Sequence, residues 1–343
     1  DDMYKIYWED TKMEFSATAG TAGGSLKALF EVRDGDNLEN FKGKVTKADS
    51  YSLTVENTSI DNIKSLNLPD KDGKITVNNI TYSYDSWEAQ VDAQGNIKSV
   101  TFNLSKDKAI ADPEKTVAEG YLLNAGSAIN ARGIPYYMTQ LNEFVRNFSE
   151  MFNQIESKGQ NLNGDTPPTF FEAITSTAKV YDFSESEAYS KLPDGQTATI
   201  NSSSNTYYRM TAANFSVNKD VMNDVSLFAT ATDYVKTDSC DIVDELKKLQ
   251  SEKTVYRGDK AESFLETIIS NVSVDTEKAE TYNKLYSNLE QTIANQRTSV
   301  SGVDEDEEAL NLVKFQYSYN MASKIISVMN QMLDKLINDT GVA

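Results

Sequence analysis

The feature that most constrains the fold is the last part of the chain, residues 304–338, in which neither proline nor glycine occurs. Apolar residues recur there every three or four positions, the spacing that places side chains on one face of an α-helix. At 1.5 Å per residue such a helix is roughly 50 Å long. Its main apolar stripe consists of Leu310, Val313, Tyr317, Met321, Ile325, Val328, Met332 and Leu336.

A second apolar stripe in this segment consists of Leu312, Phe315, Ile326, Met329, Leu333 and Ile337. A helix with apolar residues on two faces needs two partners, and a length beyond about 25 residues points to a coiled coil. The alternative is one helix of a compact bundle, packed against predicted helices at 135–158 and 276–297. Those helices would cover one face, but not obviously both.

Five consecutive acidic residues, 304–308, precede the stripes. Such a block could bind a cation, repel a neighbour or begin a helix. Asp304 and Glu307 have the spacing of an acidic capping box, and each carboxylate in a first helical turn contributes about 0.3–1 kcal/mol by facing the positive end of the helix dipole. A calcium loop needs oxygen ligands spread around a turn with a central glycine, which adjacent acids do not supply. We therefore expect Asp304 and Glu307 to cap a helix, and no metal site.

Composition argues against several classes of function. The 343 residues are 39% apolar, enough for real cores, and carry a net charge of −19, which repels phosphate backbones and anionic membrane surfaces. Histidine is absent, which removes the usual general base at neutral pH and the commonest transition-metal ligand. A single cysteine, Cys240, cannot form an internal disulfide. We expect no nucleic-acid or membrane partner, no cofactor and no enzymatic activity.

Strand-like and helix-like patterns alternate along the rest of the chain. Residues 36–110 and 166–237 show period-two alternation broken by turn residues, whereas 135–158 shows helical periodicity between Pro135 and Gly159. We predict an α+β, elongated multidomain protein in which a helical bundle or coiled-coil frame carries two inserted all-β domains. The predicted frame comprises 1–35, 111–165 and 238–343, and the predicted β domains are 36–110 and 166–237.

The terminal segment "ANQRTSVSGVDEDEEALNLVKFQYSYNMASKIISVMNQMLDKLIN" is similar to the C-terminal signature of the flagellar axial proteins. In that signature a Ser-Gly-Val, an acidic pair and a Gln-x-x-Tyr step precede a long helix. Here these residues are Ser301, Gly302, Val303, Glu307, Glu308, Gln316 and Tyr319. Upstream, "GGSLKALFEVRD", "GIPYYMTQLNEFVRNFSEMFNQIESKGQNLNG" and "MTAANFSVNKDV" resemble segments of the hook-associated protein 1 family in particular.

This resemblance implies a structural, non-enzymatic subunit of the bacterial flagellum that forms the junction between hook and filament. It implies contacts with other copies of the chain, the hook protein, a second junction protein (hook-associated protein 3) and an export chaperone. The main stripe of 304–338 is the expected surface for assembly and for the chaperone. The resemblance also implies an extracellular position in the flagellum, reached by type III export without a cleaved signal peptide.

The beginning of the chain, "DDMYKIYWED", lacks both an initiator methionine and the basic and apolar regions of a secretory signal. In the resembling family an N-terminal helix pairs with the C-terminal helix. We therefore expect the N-terminal portion of a longer protein, including that helix, to be missing from this chain.

Other functions stay open at this stage. Within the flagellum, the alternative is the hook protein or another axial subunit. A surface adhesin with β domains as ligand modules is a further alternative, since polar loops such as "NSSSNTYYRM" suit a wet contact surface, although they occur on any exposed β domain. An enzyme is the weakest alternative, because no local motif marks a catalytic pair among the 52 acidic residues.

Overall fold

The computed structural model describes residues 9–10, 23–70, 72–106, 110, 113, 117, 119–126, 128–235 and 239–339. The chain divides into two compact units, Asp1–Ile268 and Ile269–Ala343. The first unit contains both helices and strands, and the described part of the second is helical. The predicted mixed α+β class is therefore confirmed.

An antiparallel sheet of seven strands occupies the first unit, in the order β3-β6-β1-β2-β5-β4-β8. Because β3 also pairs with β4, six of these strands close into a ring, and β8 extends the sheet from β4. Two smaller sheets pair β7 with β9 and β10 with β11. The strands are β1 (Lys42–Asp49), β2 (Ser52–Glu56), β3 (Gly73–Val77), β4 (Ile80–Val91), β5 (Ile97–Leu104), β6 (Leu122–Ala125), β7 (Phe171–Ala173), β8 (Ala198–Asn201), β9 (Phe215–Val217), β10 (Thr254–Tyr256) and β11 (Asp259–Lys260).

Alternating burial builds the core inside this sheet. Trp87 on β4 and its neighbour Phe102 on β5 are both 0% exposed and pair across the strands. The β3–β4 hairpin turns at Asn78 and Asn79, whose φ angles of 49° and 61° lie in the left-handed region that asparagine tolerates in two-residue hairpin turns. The predicted period-two pattern of 36–110 therefore corresponds to real strands.

The described helices include the predicted ones. Predicted helix 135–158 is α2, and predicted segment 276–297 lies inside a single helix, α6, that is longer than the pattern indicated because 261–301 contains neither glycine nor proline. The helices are α1 (Ser25–Asp34), α2 (Ile134–Glu156), α3 (Ser184–Ser190), α4 (Lys219–Asn223), α5 (Asp241–Ser251), α6 (Ala261–Ser301) and α7 (Glu305–Asn338).

Strand pairing crosses the limits of the predicted intervals 36–110, 111–165 and 166–237. β8, from the interval 166–237, pairs with β4 of the interval 36–110, while β6, from the predicted helical interval 111–165, pairs with β1 and β3. The interval 166–237 also contains two helices, α3 and α4. Period-two alternation identifies strands but carries no information on their partners. The elongated shape, the coiled coil and the domain division stay predictions, and most of 1–22 lies outside the described residues.

Helix α2 connects the sheet to the helical part of the first unit, and it is buried on two faces. On one face Ile155 packs in a cluster with Ile242 and Leu249 of α5. On the other face Arg146 is 2% exposed, and burial lowers its pKa to about 10, so that the guanidinium stays charged at neutral pH. Arg146 donates hydrogen bonds of 2.7–2.9 Å to the carbonyl oxygens of Lys64, Leu66 and Met210.

Candidate assembly helix

Helix α6 begins in the core of the first unit. Phe264 in its first turn is 2% exposed, and its ring lies 3.8 Å from that of Tyr256 and 5.1 Å from that of Phe144 on α2, measured between centroids. Beside this stack, Arg257 forms ion pairs with Glu143 at 3.3 Å and with Glu39 at 3.2 Å. Aromatic and ionic contacts thus fix the start of α6 to the first unit.

Three residues, 302–304, separate α6 from α7. The N–H of Gly302 donates to the carbonyl oxygen of Thr298 at 2.6 Å, and a Cβ at Gly302 would collide with that same oxygen. Asp304 then caps α7: its Oδ1 accepts from the N–H of Asp306 at 3.0 Å and from that of Glu307 at 3.3 Å. Glu307 contributes its backbone N–H to this cap. The second half of a capping box, in which the Glu307 side chain accepts from the backbone N–H of Asp304, stays a prediction.

The apolar stripes of α7 are exposed along their whole length. Side chains of the main stripe range from 51% exposed at Val313 to 73% at Tyr317, and those of the second stripe from 51% at Leu333 to 75% at Phe315. Both stripes of α7 are therefore exposed. An exposed apolar surface of this extent marks an interaction site in soluble proteins.

The two stripes merge in the last part of α7. With 3.6 residues per turn, Ile325, Val328 and Met332 lie beside Ile326, Met329 and Leu333, and together these side chains cover about half of the helix circumference. The opposite half carries Ser327, Asn330, Gln331, Asp334 and Lys335. This part of α7 is thus amphipathic, with one wide apolar face.

Helix α6 has a further apolar seam that the sequence analysis missed. Apolar residues occupy most positions of a heptad repeat from Leu265 to Val300, and Asp275 and Gln296 interrupt it. Tyr282, Tyr286, Leu289, Ile293 and Val300 of this seam are 49–89% exposed. The sequence contains the signal for this seam, because its apolar residues recur at alternating intervals of three and four positions.

The described residues contain neither a membrane-spanning helix nor a group of metal-ligating side chains. None of its helices combines the length and apolar character needed to cross a bilayer. Nor do its Cys, Asp and Glu side chains form a group of three or more that could hold a metal ion.

Two similarities to known proteins include these helices, and the second extends over nearly the whole chain. Residues 294–339 match the family described as "Flagellar basal body rod FlgEFG protein C-terminal", a span that contains the last turns of α6 and all of α7. Flagellar hook-associated protein 1 of Bacillus subtilis (strain 168) is 21% identical over 341 residues, which are 97% of this chain and 56% of that relative. The chain thus spans little more than half the length of the relative. The predicted resemblance to flagellar axial proteins is confirmed: the chain is similar to a flagellar hook-associated protein over nearly its whole length, and to flagellar rod proteins in its C-terminal helix.

Proposed function

We propose that this chain is a structural subunit of the bacterial flagellum, placed at the junction between hook and filament, and that it assembles through α7. One observation carries the proposal: the exposed apolar stripes of α7 lie within residues 294–339, the segment similar to flagellar C-terminal regions. The similarity of nearly the whole chain to a hook-associated protein supports the junction position. The same likeness supports a structural and not a catalytic role.

The free energy of burying the apolar stripes favours contacts of α7 with several neighbours over pairing with a single helix. Full burial of one large apolar side chain contributes about 1.5–3 kcal/mol, so the main stripe supplies on the order of 10–20 kcal/mol. Immobilising a subunit costs about 4–15 kcal/mol. Covering one stripe therefore leaves a small surplus, whereas head-to-tail contacts around an axis bury both stripes.

The proposed neighbours are other copies of this chain, the hook protein and hook-associated protein 3. Before assembly, an export chaperone would cover the stripe that runs from Leu310 to Leu336, because an amphipathic helix binds through its apolar face in a groove. The proposed site of action is outside the cell, reached by export without cleavage of a signal peptide.

Deletion of residues 325–343 from the natural full-length protein tests this function. We expect hooks without attached filaments, because the widest apolar face of α7 is removed. Filaments are counted by electron microscopy, and the amount of subunit in the culture medium separates failed export from failed assembly. Normal filaments built with the truncated subunit would contradict the proposal.

Immunogold labelling of the intact protein separates the junction position from its alternatives. A single band of label at the end of the hook is the expected result. Label along the whole hook would assign the chain to the hook protein or another axial subunit, and label over the cell surface would favour an adhesin.

A further inference from the structure

The first unit contains a cavity of about 610 Å³ between α2, the segment 167–172 and the region around α3. Its volume lies in the range typical of sites for small ligands. Four carboxylates line it, those of Glu150, Glu156, Glu172 and Asp182, whereas no lysine or arginine is among its described lining residues. The described lining residues therefore carry negative charge and no positive charge.

Two of these carboxylates are buried. Glu156 is 2% exposed and Glu172 is 5% exposed. One oxygen of Glu156, Oε1, accepts from the N–H of Ala229 at 2.8 Å, while Oε2 has no hydrogen-bond partner among the described residues. Burial raises the pKa of Glu156 to about 7. Burial and nearby Asp220 raise the pKa of Glu172, and the positive charge of Lys219 offsets part of that rise. A buried carboxylate with an unpaired oxygen is costly unless a cation or donor reaches it.

The other two carboxylates have partners. Glu150 forms an ion pair with Lys64 at 2.5 Å. Asp182 accepts from the N–H of Ser184 at 3.0 Å and from the Ser184 hydroxyl at 2.8 Å. Glu156 thus has the buried oxygen that lacks a partner among the described residues, and Glu172 is the second buried carboxylate, with Lys219 as its nearby cation.

The remaining wall is rigid and partly aromatic. Phe183 and Tyr207 stack with ring centroids 4.3 Å apart, and both line the cavity. Asn153 holds this wall, since its amide donates to the Tyr207 hydroxyl at 2.9 Å and to the carbonyl of Phe171 at 2.8 Å. Aromatic faces next to carboxylates suit a cation attached to an apolar stem.

We propose that this cavity binds an organic cation, a guanidinium or primary ammonium group, with its charge against Glu156 and Glu172. A metal ion fits less well, because the described residues hold no group of three or more side chains arranged as ligands. The net charge of −19 attracts cations at long range. Both a free small amine and an arginine or lysine side chain of a protein partner have this chemistry.

Isothermal calorimetry on this chain at pH 8 tests the proposal. The probes are agmatine, a capped peptide with one internal arginine, and the same peptide with uncharged citrulline. We expect saturable 1:1 binding of at least one charged probe, weakened at least tenfold in both Glu156→Gln and Glu172→Gln. Glu88→Gln, which removes an exposed carboxylate of β4, is the matched control and should bind like the parent chain.

The outcomes separate the two sources of the cation. Binding of agmatine indicates a free amine, and binding of the arginine peptide alone indicates a partner side chain. Glu156→Gln retains an oxygen to accept from Ala229, so loss of binding in that variant would not reflect a lost hydrogen bond in the fold. Absence of binding by both charged probes, equal binding of the citrulline peptide, or unchanged affinity in both Gln variants would overturn the proposal.

Discussion

At the scale of single residues, Arg146 joins α2 to two distant segments of the first unit. Its guanidinium donates to the backbone oxygens of Lys64, Leu66 and Met210, and these three hydrogen bonds fix its position. The guanidinium also lies 4.5 Å from the ring centroid of Tyr208. Such a residue acts through hydrogen bonds and packing together.

Replacing Arg146 with methionine tests this role. Three carbonyl groups lose their donor, and those of Leu66 and Met210 belong to fully buried residues, so we expect the free energy of unfolding to fall by about 3–5 kcal/mol in urea denaturation. Arg209→Met is the control, because Arg209 lies over the ring of Tyr181 at 4.0 Å and is only partly buried. We expect a loss of about 1 kcal/mol or less there. Equal losses in the two variants would refute the role of Arg146.

Glu156 makes stability depend on pH. Its pKa of about 7 lies above the ordinary value of 4.5, so the folded state holds the proton more tightly than the unfolded state. This contribution is fully present below about pH 4.5 and is lost as the pH rises through about 7. We therefore expect Glu156→Gln to raise the free energy of unfolding at pH 8 by about 1–3 kcal/mol, with little change at pH 4.

Urea denaturation at the two pH values measures this effect, with Glu88→Gln as the control for loss of one negative charge. A gain at pH 8 that also occurs in Glu88→Gln would assign the effect to net charge and not to burial of Glu156.

At the scale of elements, the start of α7 depends on Asp304. Replacing it with alanine removes the acceptor for two backbone N–H groups and costs about 0.5–2 kcal/mol of helix stability. Since none of the described residues of α7 is buried, we expect faster hydrogen exchange at the amides of 305–308 and an unchanged free energy of unfolding of the first unit. Asp306→Ala should change exchange less. Unaltered exchange in Asp304→Ala would show that Asp304 does not set the boundary.

The sequence predicted elements better than their pairing. Helices α2 and α7 and most strands of 36–110 follow from local periodicity and from the residues at their ends. Closure of the sheet depends on long-range pairs such as Ile75 with Ala125, which no local pattern encodes. β6 has only four residues, too few for a clear period-two signal.

The candidate sites differ in the same way. The stripes of α7 could be predicted because they lie on one continuous helix, and their side chains are exposed. Their use as an assembly surface stays a prediction. The cavity could not be predicted, since Glu156, Glu172 and Asp182 come from separate segments. The burial of Arg146 and Glu156 on α2 could not be predicted either, because charged residues are usually exposed.

At the scale of the whole molecule, α6 starts in the core of the first unit, α7 begins at its own cap, and the apolar face of α7 is exposed. The similarity of 294–339 to flagellar C-terminal segments gives this surface its proposed use in assembly. We therefore expect charges placed on the apolar face of α7 to prevent assembly, whereas the same charges on its polar face should not.

The most direct test compares two double variants of the natural full-length protein in flagellated cells. Val328→Asp with Met332→Asp places two carboxylates in the apolar face, where burial of each costs several kcal/mol, and Ser327→Asp with Gln331→Asp places the same charge on the polar face. Filaments attached to hooks are counted by electron microscopy, with the exported subunit measured in the medium. We expect filaments to be lost in the first variant and retained in the second. Normal filaments in the first variant, with the subunit exported, would contradict assembly through the apolar face of α7.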